Sequence, residues 1–274
     1  MSRISDRFER LMRMGSGAYI PYVCAGDPDC DFTLAQIERL AKAGADVLEI
    51  GLPFSDPVAD GPVIQVAMNR SLSSGFRTKD LFDIVSSSRA RGVDQPVVVM
   101  TYYNPLLQFG VAPFCKKLAE AGGDGLLVVD LPPEESKELD SMARAHGLDV
   151  VRLVAPSTSD SRIDMIVSRA SGFVYAVSVA GITGARDQLP TSVGELLSRV
   201  TARSNIPVVL GFGVSSPNHV KAALSMGASG VVEGSKLIST YSASLENRDK
   251  ALDLIERHAK EMKAATLRPE RHNR

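Results

Sequence analysis

Two carboxylates stand where carboxylates are unusual. Glu49 interrupts the apolar run Val47-Leu48-Glu49-Ile50-Gly51. In an extended strand, side chains alternate between faces, so Glu49 shares a face with Val47 and Gly51. Small neighbours suit a closed interior, where a carboxyl loses its hydration. Its pKa then rises, and it becomes able to give and take a proton near neutral pH. The strand pattern alone is served equally well by a Glu paired with an Arg, or hydrogen-bonded, inside the core. Further on, Asp60 precedes Gly61-Pro62 and a helical pattern carrying Ile64 and Met68, so its plain role is to cap that helix. Asp56, before Pro57, reads as a turn residue. Both also lie on a proline-rich connection that can face the same site as Glu49.

The other usual bearers of chemistry are badly placed. His146, His219, His258 and His272 fall in helical patterns or in the tail, which argues against a histidine base or a metal-binding histidine cluster. No lysine ends a strand. Lys42, Lys79, Lys116, Lys117, Lys137 and Lys221 read as outer helix positions, and Lys236 as a helix start, so Schiff-base chemistry is disfavoured. Cys24, Cys30 and Cys115 form an odd set without CxxC or CxxH spacing. They read as free thiols in a reducing cytoplasm rather than a zinc site or disulfide framework.

A second signal lies near the end of the chain. Leu210-Gly211-Phe212-Gly213 and Glu233-Gly234-Ser235-Lys236 each close a short apolar run. Glycines there let backbone N–H groups and the next helix N-terminus approach a phosphate. Gly184 offers another N–H donor from an earlier loop. A lone glycine is ordinarily a turn, but two such motifs in succession point to a phosphorylated small molecule.

These residues need a scaffold, and short β-branched runs alternating with longer helical patterns supply one. The strand candidates are Ala18 to Cys24, Asp46 to Gly51, Pro96 to Thr101, Gly125 to Val129, Asp149 to Val154, Gly172 to Ser178, Pro207 to Gly211 and Gly230 to Glu233. Helical patterns run over Phe32 to Lys42, Ala112 to Ala121, Glu134 to His146, Ser161 to Arg169, Val193 to Arg203, Pro217 to Ser225 and about Asn247 to Lys263, several stopped by Gly44, Gly122, Gly147 or Gly227. Eight βα alternations predict an α/β fold, a TIM (β/α)8 barrel. The chain has 274 residues, enough for one such barrel, and a single domain over 1–274 is expected. An amphipathic helix over about 1–15, with Ile4, Phe8, Leu11 and Met12 on one face, should cover one end. Residues 264–274 are expected to fray. The second and sixth strand-to-helix connections, GLPFSDPVADGP and VAGITGARDQLP, are the long ones, and long βα loops carry the chemistry of this fold.

The formal net charge of -1 and the absence of a basic stripe with interleaved aromatics give no reason to expect nucleic acid or an anionic membrane as partner. Apolar runs are only strand-length, so neither a signal peptide nor a membrane span is expected.

Six ordered motifs now carry a family resemblance: PYVCAGDP, LEIGLPFSDPVADGPVIQ, MTYYNP, DLPPEE, YAVSVAGITGAR and VVLGFGVSS, spread from about Pro21 to Ser235. The chain resembles the tryptophan synthase alpha chain family. The resemblance implies reversible retro-aldol cleavage of indole-3-glycerol phosphate to indole and glyceraldehyde 3-phosphate. It makes Glu49 the residue that protonates the indole ring and Asp60 the one that stabilises charge at the indole nitrogen. Thr183 would contact Asp60 from a mobile loop, and Tyr175 would orient Glu49. Phosphate would be held at Gly184, Gly213, Gly234 and Ser235, and the indole slot would draw on Tyr22, Met100, Tyr102, Leu127 and Phe212. Pro53, Asp56, Pro57, Asn104, Pro105 and Pro132 would meet a β subunit in an α2β2 complex. No cofactor or metal is implied for this chain; pyridoxal phosphate would belong to the β subunit. One departure is Glu233, where many members carry an apolar residue. Beside a phosphate a carboxylate is repelled, so Glu233 is expected to point away.

The alternatives are a free-standing indole-3-glycerol phosphate lyase, a barrel that only regulates its β partner, and an unrelated phosphate-binding barrel isomerase. Intact Glu49 and Asp60 argue against the second, and the ordered motifs against the third.

Overall fold

In the computed structural model, which describes residues 2–177, 189–211 and 213–267, eight parallel strands hydrogen-bond in chain order and close on themselves. They are β1 (Ala18–Cys24), β2 (Leu48–Gly51), β3 (Val97–Thr101), β4 (Gly125–Val128), β5 (Asp149–Val154), β6 (Val174–Val177), β7 (Val208–Gly211) and β8 (Gly230–Glu233). Most are shorter than their apolar runs because the flanking residues turn into loops. Among the described residues twelve α-helices surround them: α1 (Arg3–Arg13), α2 (Cys30–Lys42), α3 (Pro62–Ser73), α4 (Thr78–Ala90), α5 (Tyr103–Phe109), α6 (Val111–Ala121), α7 (Lys137–Ala145), α8 (Asp160–Arg169), α9 (Thr191–Thr201), α10 (Pro217–Ser225), α11 (Ser235–Ser242) and α12 (Arg248–Ala264).

The register sets the interior. Tyr22 pairs with Glu49 and Glu49 with Val98; one step further, Gly51 pairs with Met100 and Met100 with Leu127. Residues level with one another in a parallel sheet share a face, so all six look the same way. The other face holds Ile50, Val99 and Leu126, buried beneath the helices.

Helix α1 closes the N-terminal end of the barrel, away from the long βα loops. Ile4 approaches Gly125 at the start of β4, and Phe8 packs on Phe173, just before β6, at 5.8 Å between ring centroids. Met12, expected on the same face, is 74% exposed, because Ile4, Phe8 and Leu11 already fill the apolar stripe. The same end is pinned by carboxylates that follow the helix-stopping glycines. Asp46 accepts the Tyr19 N–H at 2.8 Å and Asp124 the Val97 N–H at 2.7 Å.

Three helices were given no bounds by the sequence pattern, α4, α5 and α11, although Lys79 of α4 and Lys236 of α11 read as helix positions. The pattern over Glu134 to His146 instead divides into a 3-10 turn, Pro133–Glu135, and α7. The fraying expected from Ala264 does not begin there. Ala265 and Thr266 are buried, and Leu267 bridges to Ser16, since Thr266 hydrogen-bonds the loop that leads into β1. Residues 268–274 lie outside the described residues.

Candidate active site

Strand β2 places Glu49 inside the barrel at 1% exposure. Tyr175, on β6 at the opposite side of the closed sheet, feels the charge of Glu49, an interaction that must cross the interior. Among the described residues Glu49 has no ion-pair partner, and its Oε2 has no hydrogen bond. Of the choices left open by the strand pattern, pairing with an arginine is not seen among the described residues. Burial, helped by the charge of Asp60, pushes its pKa up to about 8.

Asp60 ends the long second connection, but it does not cap α3. Gly61 occupies the cap position, with no side-chain cap hydrogen bond. The Asp60 side chain turns inward instead, at 6% exposure. Its Oδ2 accepts from the Tyr102 hydroxyl at 2.6 Å, while Oδ1 is unpaired. The Tyr102 oxygen also accepts the Ala59 N–H at 3.0 Å, and Gln65 Nε2 donates to the Asp60 carbonyl at 2.8 Å. Burial raises the pKa of Asp60, and the hydrogen bond from Tyr102 opposes that rise. Expected as a wall of an apolar slot, Tyr102 therefore also works through its hydroxyl, holding both the second βα loop and the Asp60 carboxylate. Its ring meets Phe54 at 5.3 Å.

The two interior tyrosines lie over glycines. A Cβ at Gly51 would come within 2.1 Å of the Tyr22 hydroxyl, and one at Gly211 within 1.9 Å of Tyr175 Cε1. Both strands must end in glycine for the rings to lie across the interior. Met100 and Leu127 are buried on the same face.

Gly213 and Gly234 follow adjacent strands. Gly213 has φ of 80°, a region that L side chains rarely adopt, and its carbonyl lies 3.1 Å from His219 Nδ1. A histidine expected on an outer helix thus braces this turn from the first turn of α10. Gly234 precedes α11 without a side-chain cap hydrogen bond, and the helix's first residue, Ser235, is exposed. Glu233 points away as expected, with Oε2 accepting from Tyr19 at 2.7 Å and Oε1 2.6 Å from His258 Nε2. Thr183, Gly184 and Phe212 lie outside the described residues.

Sequence reasoning missed Asp27. Fully buried in the first βα loop, it accepts two hydrogen bonds from Arg70 of α3, at 2.7 and 2.8 Å, and one from Tyr241 of α11, at 2.6 Å. It thereby ties the helix after Asp60 to the helix after Gly234. The DP dipeptide was visible, but its partners are distant in sequence. On the rim, Asp56, Asn104 and Pro132 are exposed, and Pro57 and Pro105 are half-buried. Pro53 is buried and so shapes the loop from beneath instead of presenting a contact surface. Asn104 and Pro105 sit within α5, just after β3. Val58, 86% exposed, and Leu107, 52% exposed, add apolar surface to the same rim. No cluster of three metal-ligating side chains occurs among the described residues.

The model of the family described as tryptophan synthase alpha chain matches residues 8–267. The chain belongs to that family. A tryptophan synthase alpha chain of Carboxydothermus hydrogenoformans is 44% identical over 269 residues, covering 97% of this chain and 100% of that one. The crystal structure of tryptophan synthase subunit alpha from Legionella pneumophila superposes with a TM-score of 0.89 at 35% identity, covering 97% of this chain and 98% of its own. A chain of the tryptophan synthase complex of Pyrococcus furiosus does so with a TM-score of 0.82 at 39% identity, over 90% and 98%. The whole alpha-chain barrel is therefore present, with its two interior carboxylates at the end where this fold carries its chemistry.

Proposed function

We propose that this alpha-family chain cleaves indole-3-glycerol phosphate to indole and glyceraldehyde 3-phosphate, with Glu49 as the acid and base. The observation that carries the reading is a buried, unpaired carboxyl with a pKa pushed up to about 8, facing a second carboxylate that is hydrogen-bonded. Two acids whose surroundings differ in this way divide the work: one carries a transferable proton and the other carries charge.

Protonated Glu49 donates to the ring carbon that bears the glycerol chain. The positive charge this creates reaches the ring nitrogen, where Asp60 stabilises it. Ionised Glu49 then takes the proton from the hydroxyl on the adjoining carbon. The electrons of the carbon–carbon bond return to the ring, indole leaves, and the aldehyde remains with the phosphate. Glu49 ends as it began, so no external acid is consumed. Tyr175 orients Glu49, and Tyr22, Met100 and Leu127 enclose the ring. Gly213, Gly234 and the N-terminus of α11 hold the phosphate. Thr183, Gly184 and Phe212 are assigned the roles that the family resemblance implies.

The chain needs no cofactor for this step. Its exposed rim, with Val58 and Leu107 among Asp56, Asn104 and Pro132, favours docking against a β subunit that consumes indole on pyridoxal phosphate in an α2β2 complex in the cytoplasm. The experiment is a turnover assay on indole-3-glycerol phosphate with and without a β subunit. Cleavage that accelerates on addition supports the synthase reading, full activity alone moves it to a free-standing lyase, and no cleavage in either case overturns it.

A further inference from the structure

We infer that the Tyr22 hydroxyl is a third polar contact to the substrate, hydrogen-bonded to the hydroxyl on the carbon that joins the glycerol chain to the indole ring. The inference rests on the lyase reading and extends it to a residue whose ring alone was expected to matter.

Among the described residues, three polar atoms that lie together around the two carboxylates lack a hydrogen-bond partner: Glu49 Oε2, Asp60 Oδ1 and the Tyr22 hydroxyl. The first two belong to the reacting groups. Tyr22 is 2% exposed, and its hydroxyl is close enough to both carboxylates for their charges to act on it. The Cys24 thiol is in reach: burial raises its pKa, and a hydrogen-bonding contact with Tyr22 opposes that rise. The contact is too loose to satisfy the phenol oxygen, and sulfur is a weak hydrogen-bonding group. Packing does not explain the oxygen. A phenylalanine would fill the slot with the same ring, and a buried hydroxyl left unpaired is destabilising. Burial keeps the phenol protonated, so it enters the site as a donor that can also accept.

The course of the ring identifies the atom it serves. Tyr22 Cβ lies 3.7 Å from where a Cβ on Gly234 would stand, at the phosphate end, and its hydroxyl lies over Gly51, two residues from Glu49. The side chain thus runs from the phosphate cradle to the carboxylates, the path the glycerol chain must take. Its oxygen ends where that chain joins the indole ring. There it can hold in place the very hydroxyl that Glu49 must deprotonate.

The test compares two ligands by calorimetry in a Glu49→Gln background, in which the substrate persists: indole-3-glycerol phosphate, and 3-(indol-3-yl)propyl phosphate, which has the ring and phosphate but neither hydroxyl. Adding Tyr22→Phe should weaken binding of the first by about tenfold, the worth of one hydrogen bond, and leave the second unchanged. Equal weakening of both would make Tyr22 a packing residue, and no change in either would make its hydroxyl idle. Either result overturns the inference. Turnover by the parent protein tests the lyase reading separately.

Discussion

Holding Glu49 without a partner inside the barrel ties stability to pH. Its folded pKa of about 8 lies above the ordinary value of 4.5, so between these two pH values the folded state binds more protons than the unfolded chain. The neutral acid is accommodated at low pH, and stability falls as pH rises through about 8. Glu49→Gln removes that dependence. It should raise the melting temperature at pH 8 and scarcely at pH 4, the difference at most about 5 kcal/mol. Turnover should drop by roughly a hundredfold to ten-thousandfold; near-normal cleavage by the folded variant would remove Glu49 from the mechanism. Tyr102 offers a second reading at this scale. Its hydroxyl holds down the pKa of Asp60, so in Tyr102→Phe the acid limb of the kcat profile should move to higher pH. A profile that falls in height without moving would return Tyr102 to the slot wall.

The glycines at the strand ends separate scaffold from cradle. A Cβ at Gly211 would overlap Tyr175, whereas one at Gly234 meets, among the described residues, nothing nearer than Ile64 Cδ1 at 3.5 Å. Gly211→Ala should therefore lower the melting temperature. Gly234→Ala should leave it within a few degrees while weakening glycerol 3-phosphate binding, because in the proposed site the added methyl would stand where the anion approaches. Tight binding by Gly234→Ala, measured by calorimetry, would place the cradle elsewhere. Element boundaries were legible where a local signal exists: Gly44, Gly122 and Gly147 all have positive φ and each follows a helix. Helix α4 was left without bounds, though Lys79 read as a helix position, because it shares one β2-to-β3 connection with α3, where one helix per strand is the expectation. Helix α5, at seven residues, is too short for a 3.6-residue period to show.

Across the whole molecule, the long second loop presents a charged and apolar rim on the outside and Asp60 on the inside. Asp56 is exposed beside Val58, only a few residues from Asp60. Reversing its charge, Asp56→Lys, should weaken the association with a β subunit and the acceleration it brings, with the rate of the isolated chain unchanged. Ultracentrifugation of the mixed chains and indole-release assays report the two effects. An unchanged association would put the partner on another face.

Local chemistry was enough to determine the alternation of strands and helices, the eightfold count, the strand that carries Glu49, and the glycine motifs at the ends of β7 and β8, because each is written within a few neighbouring residues. Pairings between distant segments could be decided only by closure of the barrel. Whether Glu49 met an arginine or stood alone depended on β6 and the second loop arriving opposite it. Asp60 read as a helix cap until Tyr102, forty-two residues away, drew it inward. Glu233 faces out because Tyr19 and His258, from opposite ends of the chain, converge on it. A side chain's neighbours along the chain set the element it joins, but its pKa and its hydrogen bonds are set by groups that only the closed sheet brings within reach.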